Sequence, residues 1–166
     1  MNSARIIPVL LLKSNGLVKG IRFRDHKYVG DPINAVKIFN DKEVDELIFL
    51  DITASYENKQ PNIDIVAKLA DECYMPFAFG GGIKNVFEIG RVIESGAEKV
   101  SLNSSAFENP ALIKEASSIF GSQSIIISID YQRSFLGKKL VWTKSATNKT
   151  SVQVLEWAKK AEDMGA

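Results

Sequence analysis

The chain has 166 residues, enough for one domain with a substantial core and too few for two ordinary ones. With 45% hydrophobic residues, 25% charged residues and a formal net charge of +1, it has a globular composition and lacks the basic excess of a nucleic-acid or polybasic membrane binder. Cys73 is the only cysteine, which excludes an intrachain disulfide or a cysteine metal cluster and points to the reducing cytoplasm.

The first apolar run, Ile6 to Leu12, is too short to span a bilayer and reads as a strand buried on both faces. Pro8 weakens that reading, because it removes a ladder donor. A charged connection follows from Lys13 to Gly30, holding Lys19, Arg22, Arg24, Asp25, His26 and Lys27. No apolar period organises it, so a long loop is expected, with His26 at a solvated position. Asp31-Pro32 starts a helix, with Asp31 as N-cap and Ile33, Val36, Ile38 and Phe39 on its apolar face.

Leu47 to Asp51 predicts a second buried strand that ends on a carboxylate. After the polar loop 53–61, a helix carries Ile63, Ile65, Val66, Leu69 and Ala70, with Cys73 near its end as a packing residue. Phe77-Ala78-Phe79 predicts the third strand and runs into Gly80-Gly81-Gly82. Glycines at such a place fit either a tight strand-to-helix turn or an anion site in which a ligand approaches the backbone. Val86, Ile89, Val92 and Ile93 mark the next helix, and Lys99 to Asn103 the fourth strand, followed by Ser104. Asn109-Pro110 opens another helix, and Ile125 to Asp130 is the fifth strand, ending again on a carboxylate. A hairpin around Gly137-Lys138 is expected over 134–144, then a helix from about Ser151 to Met164.

Strands alternating with helices predict a parallel sheet with right-handed crossovers, in a single domain over 1–166. Two architectures fit: an open five-stranded doubly wound sheet, or the first five βα units of a (β/α)₈ TIM barrel, whose full length is roughly 250 residues. In the second case the chain stops where a sixth strand would begin. Either way Asp51, Gly80 to Gly82, Asn103-Ser104 and Asp130 all follow strand C-termini, the face on which active sites are built. Each could instead cap a helix or brace a loop. Arg5, Glu46 and Lys99 sit at strand starts, where they could converge at the opposite mouth or remain solvated separately.

Taken together, Arg5-Ile6-Ile7, Lys19-Gly20, Gly30-Asp31-Pro32, Asp45-Glu46-Leu47, Phe49 to Ala54, Gly80 to Ile83, Lys99 to Asn103, Glu108-Asn109-Pro110, Phe120 to Gln123 and Ile129-Asp130 resemble the cyclase subunit of imidazole glycerol phosphate synthase, within the histidine-biosynthesis barrel family. The likeness runs the full length of the chain. It implies a TIM barrel whose top binds a two-phosphate substrate through Asp51, Gly81, Gly82, Asn103 and Ser104, with Lys19 on the first loop above it. It makes Asp130 one of two catalytic carboxylates. It makes Arg5, Glu46 and Lys99 members of a gate that admits ammonia from a glutaminase docked on the N-terminal face. No metal and no cofactor are expected.

One position departs from the pattern. The family's other catalytic aspartate belongs at the end of the first strand, where this chain carries Leu11. Ring closure with loss of a glycerol phosphate arm needs proton transfers at two places, and leucine can make neither. With this change the chain resembles a branch found with surface-polysaccharide genes, whose barrel subunit supplies ammonia for amidino groups on sugars. The histidine-pathway cyclase is the alternative, and a non-catalytic phosphate-binding half-barrel that self-associates is a third reading of another class.

Overall fold

A computed structural model describes residues 4–21, 23–55, 57–135 and 137–166. Arg22, counted above in the charged connection, lies outside them, as does one position of the predicted 134–144 hairpin. The chain begins with strand β1 (Val9–Lys13), β2 (Gly16–Ile21), β3 (Arg24–Gly30) and helix α1 (Pro32–Asp41). Then come β4 (Leu47–Asp51), α2 (Ile63–Glu72), β5 (Phe77–Gly80), α3 (Val86–Glu94) and β6 (Lys99–Leu102). The short α4 (Ser104–Glu108), α5 (Ala111–Phe120), β7 (Ile125–Ile127), β8 (Asp130–Arg133), β9 (Lys139–Thr143), β10 (Asn148–Gln153) and α6 (Val154–Asp163) complete the order.

The order of the parallel strands decides between the two architectures. The large sheet runs β3-β2-β1-β4-β5-β6-β7, so its parallel strands β1, β4, β5, β6 and β7 are neighbours in chain order. A doubly wound sheet reverses its order about a switch point, whereas a barrel winds in one direction. Successive helices also touch, α1 on α2, α2 on α3 and α3 on α5, as they do when all cover one side. The fold is that of the first five βα units of a TIM barrel.

Caps explain where the helices start. Asp31 accepts from the amides of Ile33 (2.9 Å) and Asn34 (3.1 Å), with Pro32 at the first helical position. Asn85 accepts from Glu88 N at 2.9 Å, and the Glu88 carboxylate accepts the amide of Lys84, one residue before that cap, at 2.6 Å. The core lies between sheet and helices. Phe49, Phe79 and Val100 stand in register on β4, β5 and β6, fully buried against Val36, Val66, Leu69, Ile89, Val92 and Ile113. Strand side chains alternate between faces, so the intervening row Leu11-Leu50-Gly80-Ser101, also in register, points to the barrel side.

Several expectations need correction. The connection after β1 is not a loop but a β-hairpin. Ser14 and Asn15 both adopt positive φ, the geometry of a two-residue turn that follows the strand twist, and Lys13 pairs with Gly16. Lys19 therefore sits within β2, paired with Lys27, rather than on a flexible loop. His26 is half-buried on β3, not solvated. The first strand is shorter than expected, and one face is open: Val9 is 52% exposed, because only Leu11 to Lys13 pair with β2 and the barrel side is uncovered there. The fifth strand stops at Ile127, and Asp130 opens β8. The predicted hairpin is real and acquires a third strand, β10, which takes residues 151–153 from the final helix.

Candidate functional site

The C-terminal ends of β4, β5, β6 and β7 surround a cavity of about 900 Å³, lined by Leu11, Asp51, Gly81, Gly82, Asn103, Ser104 and Asp130 among others. Six of those seven were singled out from the sequence as polar or glycine groups at strand ends, and the seventh, Leu11, lies in the middle of β1. The geometry assigns each a local task.

Asp51 is committed to its own loop. Its Oδ1 accepts from Thr53 N (2.9 Å), Thr53 Oγ1 (2.8 Å) and Ala54 N (3.1 Å), which folds residues 51–54 into a turn under the cavity rim. The glycine run is shaped by that turn. Gly81 has φ +113°, and a Cβ there would collide with the Asp51 carbonyl and lie 2.9 Å from Asp51 Cβ. Gly82 has φ +75°, and its Cβ would sit 2.6 Å from the Lys59 carbonyl oxygen. Both conditions exclude a side chain: a left-handed backbone, and main chain where Cβ would go. Gly81→Ala is accordingly expected to cost about 2–4 kcal/mol in urea unfolding. A loss below about 0.5 kcal/mol would show that the Asp51 loop yields instead. The Gly82 amide faces a hydroxyl, Ser55 Oγ, at 3.4 Å.

Asn103 and Asp130 form a pair across the cavity floor, with Asn103 Nδ2 donating to Asp130 Oδ2 at 3.1 Å. Burial pushes the Asp130 carboxyl above the usual carboxylate range, and the Asn103 hydrogen bond pulls it back by less. A raised carboxyl in a cleft has the character of a proton-transfer group. Beneath it Ser101 and Ser128 join hydroxyls at 2.8 Å. Ser104 Oγ accepts the amide of Lys144 at 2.8 Å, which ties the β9–β10 turn to the start of α4.

At the opposite end of the strands, Glu46 is 2% exposed and Lys99 Nζ donates to both its carboxylate oxygens at 2.6 Å. Arg5 Nη1 lies 3.6 Å from Glu46 Oε2, with its side chain 64% exposed. Of the two arrangements left open by the sequence, the three charges adopt the convergent one. Their two ends of the barrel are separated by the length of the parallel strands.

The matches to known proteins agree with this architecture. Residues 5–166 match the family described as histidine biosynthesis protein. The chain belongs to that family. It is 48% identical over 97% of its length to a Pseudomonas aeruginosa protein provisionally named imidazole glycerol phosphate synthase subunit hisF2, covering 64% of that protein. It is 45% identical over its full length to a Vibrio vulnificus protein provisionally named subunit hisF3, again covering 64% of the relative. An Alkaliphilus metalliredigens protein named imidazole glycerol phosphate synthase subunit HisF is 40% identical over the full chain, which covers 66% of it. The chain thus spans a little under two thirds of these curated relatives.

As a member of the histidine biosynthesis family, the chain differs in detail from what its sequence suggested. Lys19 does not line the cavity, while Lys84, Lys144, His26 and Glu108 do. His26 arrives because β3 folds back over β2, where its ring covers Gly20: a Cβ on Gly20 would lie 2.7 Å from His26 Cδ2. The Asn15-Gly16 dipeptide, a strong turn signal between apolar stretches, is the cue that could have found this hairpin. Lys144 arrives on the β9–β10 turn, for which the sequence shows no comparable cue. Among the described residues no three His, Cys, Asp or Glu side chains group as a metal site, and no helix is long and apolar enough to cross a membrane.

Proposed function

We propose that this chain is the synthase part of a glutamine amidotransferase, which receives ammonia at the Glu46 end and uses it on a phosphorylated substrate at the Asp130 end. Gly81, Gly82, Asn103 and Ser104 hold a phosphate, Asp51 braces the loop beside them, and Asp130 moves a proton at the reacting carbon or nitrogen. Arg5, Glu46 and Lys99 form the entry, and a glutaminase docks over it. Lys19, outside the cavity rim, keeps a role only if the β2–β3 hairpin bends inward over bound substrate. The edge strand β7 is where copies would self-associate. The domain is a partial barrel over 1–166, working in the cytoplasm.

Within this reading we favour the amidino-sugar branch over the histidine pathway, and a single observation carries the preference. Leu11 stands in register with Leu50 and lines the cavity where a second acid would be required, so the first strand offers Asp130 no carboxyl partner. Cyclisation with cleavage needs acid and base at two places, whereas amidation of an activated sugar can proceed with one carboxyl. The histidine reading is favoured in turn by the 40% identity to a relative named for that synthase.

Leu11→Asp in the full-length protein separates the two. Supplied with ammonium and the two-phosphate precursor of imidazole glycerol phosphate, the variant is expected to remain inactive. Appearance of imidazole glycerol phosphate would mean that the rest of the histidine machinery is intact, and would overturn the amidino-sugar assignment.

A further inference from the structure

We infer that Lys144, on the turn between β9 and β10, is the cation that neutralises the substrate phosphate, and that Glu108 pairs with it as a competing anion. The inference rests on the phosphate reading of the cavity given above and adds the group which that reading lacks.

The reason is charge. The proposed phosphate groups, Gly81, Gly82, Asn103 and Ser104, are all neutral, and the cavity wall also carries Asp51, Glu108 and Asp130. A phosphate dianion placed there without a cation would be repelled by three carboxyls in a partly desolvated space. Two lysines line the cavity among the described residues, Lys84 and Lys144. Lys84 follows Gly82 by two residues, and its Nζ is engaged with Asn58 Oδ1. Lys144 begins beside the phosphate groups, since its own amide donates to Ser104 Oγ at 2.8 Å.

That hydrogen bond orients Ser104 as well. With its oxygen accepting from Lys144, the hydroxyl proton is left to point elsewhere, as a donor to a phosphate oxygen requires. The Lys144 side chain meanwhile pairs with Glu108 Oε1 at 3.3 Å, both groups being more than half exposed. An exposed pair of this kind is held weakly, so a lysine with three rotatable donors can leave it for a phosphate at little cost. The turn is tied internally: Thr147 Oγ1 donates to the Lys144 carbonyl at 2.6 Å, and Lys144, Ser145 and Ala146 all have positive φ. Glu108 and the phosphate thus compete for one ammonium group.

Competition predicts opposite signs for two substitutions. Inorganic phosphate is titrated into the full-length protein, with amide shifts of Gly82 and Ser104 followed by NMR. Lys144→Met is expected to weaken binding about tenfold, the usual worth of a charge-assisted contact to an anion. Glu108→Gln is expected to tighten it about threefold, by removing both the rival and its negative charge. Glu108 is exposed, so that variant folds even if the strained turn does not tolerate Lys144→Met, and its sign alone decides. If wild type shows saturable shifts at Gly82 and Ser104 while Glu108→Gln weakens binding or leaves it unchanged, the Lys144 assignment is overturned and the phosphate site stands. If wild type shows no saturable shifts there, the phosphate reading falls and the assignment with it.

Discussion

Under the proposed function, Asp130→Asn is expected to lower formation of amidino product by about 10²-fold or more while making the protein more stable near pH 7. The activity arm is read in the source strain, by deleting the gene, restoring it with either codon, and measuring amidino content of the surface polysaccharide by mass spectrometry. The stability arm follows from burial, which holds the Asp130 carboxyl above the usual carboxylate range. An acid raised in the folded state releases its proton at lower pH when unfolded, so ionisation penalises folding. The penalty is absent below the ordinary carboxylate range, grows as pH rises through the raised value, and is complete above it. Asparagine keeps an oxygen to accept from Asn103 Nδ2 and carries no charge. Its midpoint should therefore exceed wild type near pH 7, and the difference should shrink as pH falls below the ordinary carboxylate range. A variant that is less stable at both pH values would mean that Asp130 is a structural acceptor, and full amidino content would remove it from the chemistry.

Glu46→Ala is expected to be among the most destabilising single substitutions outside the apolar core, at about 2–4 kcal/mol. Lys99 is 20% exposed and has both Glu46 oxygens at 2.6 Å, so removal of the carboxylate strands an ammonium group that water reaches poorly. Arg5→Ala should cost well under 1 kcal/mol, because that side chain is solvated and 3.6 Å away. The double variant Glu46→Ala/Lys99→Met should recover part of the loss, since it leaves neither charge buried without its partner. Urea unfolding of all four proteins measures the set. A double variant no more stable than Glu46→Ala alone would show that the glutamate is needed for packing and not as the partner of Lys99.

An all-apolar base can fold as well as a charged one, so under the proposed function the arrangement of Arg5, Glu46 and Lys99 serves what passes it. Under the proposed function this is ammonia, which a lysine–glutamate pair can admit by parting.

The βα alternation, the helix start at Asp31-Pro32, and the polar strand ends at Asp51 and Asn103 were all legible in the sequence, because each depends on local chemistry. A capping oxygen needs an amide two or three residues on, and a buried strand needs only its own apolar run. The replacement at Leu11 was legible too, although its meaning required the resemblance. What the tertiary structure decided depends on which strands become neighbours. The sequential order of β1, β4, β5, β6 and β7 chose the barrel over the doubly wound sheet, and no local pattern encodes that order. The pairing of β2 with β3 carried His26 into the cavity and removed Lys19 from it, since adjacent residues on a strand face opposite ways. The turn after β9 brought Lys144 to Ser104, forty positions earlier in the chain, through a single hydrogen bond. Contacts of that separation are paid for by burial across the whole sheet, which is why they are invisible in any one stretch of residues.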